Sequence, residues 1–258
     1  MKNLFCIFLL LFSFSTSAFA NGTERNVGNL ELKFDVNPSA GPEGVEFEVL
    51  LRNEGETPLR LEFPTSQVFE ITVTDSVGNE VYRFSKGRYF LQAFQTIKIE
   101  PKTTYKRIAM WDYVSKGKRV PPGEYTVHVT LKPVHLNDNP IRSREKLTIH
   151  KKMMIPEENP VFRHVKVEGN SGNYQISGET NPTKGRFFYT VEDGHKEFIQ
   201  EHQIEIDGKQ EEWKPFMIHI QISETKLPDN GSLILFLYDR NKKDEIIHSF
   251  PVILEKFY

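Results

Sequence analysis

Leu30-Glu31-Leu32-Lys33-Phe34-Asp35-Val36 sets Leu30, Leu32, Phe34 and Val36 on one side and three charged residues on the other. Successive side chains of a β-strand point to opposite faces, so this alternation describes a half-buried strand. The pattern recurs outward along the chain at Val45/Phe47/Val49/Leu51, Leu59/Leu61/Phe63, Phe69/Ile71/Val73, Ile97/Ile99, Tyr125/Val127/Val129/Leu131 and Leu147/Ile149. Turn-forming clusters separate the runs at Asn53 to Glu56, Asp75 to Asn79, Ser115 to Lys118 and Pro121-Pro122-Gly123. Short strands at regular spacing, punctuated by Gly and Pro, are the pattern of a β-sandwich.

A second series begins near Pro160, with Phe162/Val165/Val167, Tyr174/Ile176, Phe187 to Val191, Phe216/Ile218/Ile220 and Leu233 to Tyr238. Asp193-Gly194 and Asp207-Gly208 read as hairpin turns, since both residue types tolerate positive φ. Pro156 and Pro160 bar a helix or a central strand between the two series. The expected fold is all-β, two immunoglobulin-like antiparallel β-sandwiches in tandem. The expected divisions are a leader at 1–20, a first sandwich at 21–150, a linker at 151–160 and a second sandwich at 161–258.

Met1–Ala20 reads as a secretory signal peptide. Lys2 gives the positive start, Leu4 to Phe14 the apolar run, and Ala18-Phe19-Ala20 the small-x-small cleavage pattern. The run is too short to span a bilayer, so no membrane span is expected after cleavage. The single cysteine, Cys6, lies inside that leader. A mature chain starting near Asn21 would therefore hold no disulfide, and its stability would rest on its core.

A net charge of −2 over 258 residues excludes the basic excess of a nucleic-acid binder. The 12% aromatic content supplies core material that disordered chains lack. Catalytic signatures are sparse. Gly169-Asn170-Ser171-Gly172-Asn173 fails as a nucleophile elbow at its last position. Ser143–Lys146 and Ser223–Lys226 have Ser-x-x-Lys spacing but open no amphipathic helix. His195 and His202 flank a hairpin and read as a solvated turn rather than a zinc pair. Asp239, Asn241 and Asp244 read as a charged hairpin tip. No catalytic residue, cofactor or metal is expected.

Two basic clusters stand out within a nearly neutral chain. Lys86 and Arg88, beside Tyr89, form one, and Lys116, Lys118 and Arg119 form the other. Together they are the expected protein-contact surface, because Arg and Tyr are enriched where proteins meet. Trp111 is expected to pack at the core edge and anchor the second cluster. Gly123 permits the turn ahead of its strand, and the Tyr125 hydroxyl is expected to fold back onto the neighbouring corner.

Val45 to Leu131 resembles the BsuPI family of proteinase inhibitors. The resemblance is carried by Leu51-Arg52-Asn53, Leu61 to Gln67, Asp75 with Gly78, Tyr82-Arg83-Phe84-Ser85, Phe90 with Gln92, Met110-Trp111-Asp112 and Pro121 to Tyr125. It implies an immunoglobulin-like sandwich that binds a protease. Val161 to Phe257 is similar to the immunoglobulin-like domain of bacterial sporulation and spore-germination proteins, through Ile176-Ser177-Gly178, Trp213 to Ile220 and Gly231 to Asp239. The two resemblances imply a secreted, non-enzymatic binding protein of the cell envelope or spore, or an inhibitor of an extracellular subtilisin-like protease. The partner in either case is another protein.

Overall fold

A computed structural model describes residues 25–26, 31–142, 147–206 and 212–257. The expected leader lies outside these residues, as do Asp207-Gly208 and Ser143–Lys146. The alternating runs of the first half become β1 (Arg25–Asn26), β2 (Leu32–Ala40), β3 (Val45–Asn53), β4 (Leu59–Phe63), β5 (Phe69–Thr74), β6 (Glu80–Arg83) and β7 (Gln95–Ile99). They continue as β8 (Thr104–Trp111), β9 (Val114–Ser115), β10 (Lys118–Arg119), β11 (Gly123–Leu131), β12 (His135–Leu136), β13 (Asn139–Pro140) and β14 (Thr148–Ile155). The second half supplies β15 (Phe162–Asn170), β16 (Asn173–Thr180), β17 (Arg186–Glu192), β18 (Glu197–Glu205), β19 (Lys214–Gln221), β20 (Gly231–Arg240) and β21 (Ile246–Phe257).

The protein is all-β, built from antiparallel sheets. In the first half, β1-β2-β3-β8 and β14-β11-β5-β6 form two four-stranded sheets, β13-β12-β4-β7 a third, and β9 and β10 a short ribbon. Phe34 pairs with Leu51 and Val36 with Val49 across β2 and β3, while Val129 lies between Ile71 and Ile149 on β5 and β14. These inward residues are almost wholly buried and join the three larger sheets into one core. The second half stacks β15-β16-β19 on β18-β17-β20-β21 around a separate core that includes Phe162, Ile176, Phe187, Leu235 and Phe250.

The expected linker at 151–160 is corrected at its first half. β14 pairs with β11 without interruption from Thr148 to Ile155, ending at Gly123. Met153 and Ile155 continue the inward alternation of Ile149, so the ladder runs until Pro156 removes its donor. The second sandwich is fastened to the turn between β2 and β3. The Glu43 carboxylate accepts the backbone N–H of His164 at 2.6 Å and of Val165 at 3.0 Å, where β15 bulges. Lys256 reaches Glu46 at 2.5 Å beside it.

Asn53, at the end of β3, is the polar pin of the first core. It is fully buried, donates through Nδ2 to the carbonyls of Thr57 (2.8 Å) and Ile99 (3.0 Å), and accepts from Gly55 N–H (2.9 Å). Asn53→Ala would orphan these groups and is expected to cost about 2–4 kcal/mol. Urea denaturation would measure it; an unchanged midpoint would mean water replaces the amide at no cost.

Candidate protein-contact surface

β6 ends the β14-β11-β5-β6 sheet, and the loop that follows it holds the least expected surface of the molecule. At its start, Asp75 closes the β5–β6 hairpin. Its carboxylate accepts from the Asn79 side chain and from the backbone of Asn79 and Val77, which holds its pKa below the usual range. After β6 the chain turns at Gly87, with φ of 75°. Arg88 N–H then donates to the Ser85 carbonyl at 3.1 Å, and Ser85 N–H to the Glu70 carboxylate at 3.0 Å.

Phe84 organises the loop. Its ring lies 4.9 Å from Phe69 on the core side, with the Arg88 guanidinium 4.5 Å over it and Phe90 6.1 Å away. Further on, Leu91 N–H donates to the Ser66 hydroxyl (2.9 Å) and the Leu91 carbonyl accepts from Ser66 N–H (3.0 Å). Gln92 and Gln95 donate their side-chain amides to the carbonyls of Phe90 and Ala93. The backbone is thus braced, yet Tyr89 is fully exposed and Leu91 and Phe94 are 69% and 65% exposed. Each such side chain leaves about 1.5–3 kcal/mol of transfer free energy unrealised in the free protein.

The second expected cluster sits on the β9–β10 ribbon, whose turn residues Lys116 and Gly117 both have positive φ. β9 lies against β6, so the ribbon and the apolar loop leave the fold on neighbouring elements. Trp111 links them. Its indole is 4% exposed, stacks 5.1 Å from Tyr82 of β6, stands edge-on 5.6 Å from Tyr113, and donates Nε1–H to the Val114 carbonyl at 3.0 Å. Burial pushes the Tyr113 hydroxyl up to about 12, and that hydroxyl donates to Gly41 at 2.9 Å. A cleft of about 550 Å³ beside Tyr82 and Trp111 is also lined by Val165 and Phe250 of the second sandwich.

Among the expected contact residues, Lys86, Tyr89, Lys116 and Lys118 project into solvent. The two arginines of the set also make contacts within the fold. Arg119 turns inward, donating to the carbonyls of Pro42 (3.0 Å) and Pro156 (3.1 Å) while lying 4.8 Å over the Tyr113 ring. Arg88 remains exposed, with its guanidinium 4.5 Å over the Phe84 ring. Guanidinium planes stack on rings and fork onto carbonyls, whereas ammonium groups do neither as well. Arg119→Ser is therefore expected to destabilise the protein by about 1–3 kcal/mol, with Arg119→Lys recovering part of the loss. A thermal melt unchanged by Arg119→Ser would contradict this role.

Tyr125 donates its hydroxyl to the Pro121 carbonyl at 2.8 Å, and Gly123 enters β11 at φ of 140°, a conformation that favours glycine. Leu91 and Phe94, both exposed, were not among the expected contact residues. Their one sequence signal was a break in alternation across Tyr89 to Phe94. Other sequence candidates do not assemble. Among the described residues no cluster of three or more metal-ligating side chains occurs. His202 stacks on Tyr189 at 5.3 Å. Ser223 bonds Thr225 in an exposed single turn. Asp239, read as part of a charged tip, is buried and accepts from Thr183 and from Arg240 N–H.

Residues 31–135 match the model of the BsuPI family, described as intracellular proteinase inhibitor. The match includes β2 to β12 almost entirely, and so all of the candidate contact residues. No curated protein matches the chain. A similar solved structure is that of red sea bream transglutaminase, at 12% identity and a TM-score of 0.30. The likeness covers 88% of this chain and 31% of that one, so this chain spans about a third of its length.

Proposed function

We propose that the protein is an exported, non-enzymatic binding protein whose first sandwich holds a subtilisin-like serine protease through residues 88–94. The observation that carries this reading is the braced loop that exposes Tyr89, Leu91 and Phe94 within a proteinase-inhibitor-like domain. An inhibitor loop must enter an active-site cleft without a large ordering cost, and its own hydrogen bonds provide that preorganisation without a disulfide. Large apolar side chains then fill the pockets of the protease. Lys86 on the same loop, and Lys116 and Lys118 on the ribbon that lies against β6, supply positive charge that speeds the encounter with an acidic surface. In this reading the encounter occurs outside the cytoplasm, since the first 20 residues read as a leader. The second sandwich holds the complex at the envelope or spore.

Titration of active-site-calibrated extracellular proteases with the full chain tests the proposal. Stoichiometric inhibition of a protease with an apolar primary pocket, with the loop left uncut, is expected. Failure to inhibit any such protease, or rapid cleavage within 88–94, would overturn it.

A further inference from the structure

The outer face of β11 and β14 carries a pair of histidines that the contact surface does not use. His128 and His150 stand directly opposite each other in the ladder. Their rings meet at 81°, and the two Nδ1 atoms are 2.7 Å apart. Two ring nitrogens so close share one proton or one metal ion. The far side of the His128 ring is also fixed, with Nε2 3.1 Å from the Thr74 hydroxyl on β5. A ligating imidazole needs just such an acceptor for its other N–H, which sets the tautomer and aims the lone pair. The flanks present no unopposed charge. Lys152, two residues on, is paired with Glu124 at 2.7 Å, and Thr130 bonds Thr148 at 3.0 Å on the other side.

We propose that His128 and His150 form a two-imidazole site for a divalent transition metal of the copper–nickel type, completed by water. The spacing favours these ions. With bonds of about 2.0–2.1 Å, two nitrogens lie about 2.9 Å apart when cis at 90° and about 3.4 Å apart at the tetrahedral angle. The observed 2.7 Å needs only a small opening for a tetragonal ion and a much larger one for tetrahedral zinc. His150 is exposed and His128 half-buried, so the pair is open to solvent. The site is independent of the protease reading.

The test is calorimetric titration of the full chain with Cu²⁺, Ni²⁺ and Zn²⁺ salts, with electron paramagnetic resonance of the Cu²⁺ complex. One Cu²⁺ per chain is expected, bound more tightly than Ni²⁺ and Zn²⁺, with hyperfine structure from two imidazole nitrogens. His128→Ala and His150→Gln should each weaken Cu²⁺ binding at least tenfold. His150→Gln lies on an exposed strand position and serves as the deciding variant if His128→Ala unfolds the sheet. Equal binding by His150→Gln and wild type, or tighter binding of Zn²⁺ than of Cu²⁺, would overturn the assignment.

Discussion

Trp111→Ala is expected to lower the stability of the first sandwich by about 3–5 kcal/mol, the usual cost of deleting a large buried ring. The indole fills the space between Tyr82 and Tyr113 and ties the β9–β10 ribbon to the core through the Val114 carbonyl. Little in that neighbourhood can collapse into the void. Tyr82 stacks on Phe47 at 6.1 Å, and Tyr113 is pinned by Gly41 and covered by Arg119. Trp111→Phe keeps most of the ring but loses the Nε1–H donor, and should fall well short of the alanine loss. Urea denaturation followed by circular dichroism measures both. An unchanged midpoint for Trp111→Ala would mean that the ribbon and the β6 edge are held by something else.

The double substitution Tyr89→Ser/Leu91→Ser is expected to weaken protease inhibition by about 30- to 1000-fold, as the loss of central apolar anchors does at other interfaces. It should leave the melting temperature nearly unchanged, because both side chains are exposed and the braces of Leu91 run through its backbone. Lys116→Ser/Lys118→Ser is the informative companion. Exposed charge pairs are worth at most about 1 kcal/mol each, so removing both lysines should cost at most about 30-fold, mainly in association rate, and its effect should shrink with salt. An inhibition constant that responds to the lysines and ignores Tyr89 and Leu91 would transfer the contact from the loop to the ribbon.

The strands of the cores were legible because burial on one face imposes alternation. Phe34, Val36, Val49, Leu51, Val127 and Val129 all point inward as their spacing demands. The fate of the polar residues was not legible in the same way. Nothing local distinguishes Arg119, folded onto Tyr113 and two carbonyls from distant segments, from Lys118 beside it in solvent. Asp239 is hidden for the same reason, since its partner Thr183 comes from a turn far away in sequence. No strand covers the stretch from Pro156 to Val161, but proline only forbids the ladder at its own position. The apolar residues ahead of Pro156 were free to extend β14. In the loop, Leu91 and Phe94 belong to none of the alternating runs. Their exposure follows from Ser66 and Phe84 fixing the backbone with those side chains outward.

The proposed contact is the entry of residues 88–94 into the protease cleft. Amide hydrogen exchange of the full chain, alone and with an inhibited-state protease complex, tests it residue by residue. New protection is expected to concentrate at Tyr89 to Phe94, with smaller changes at the Lys116–Lys118 turn and none across the second sandwich. Protection confined to the second sandwich, or an unchanged loop in a stable complex, would contradict it.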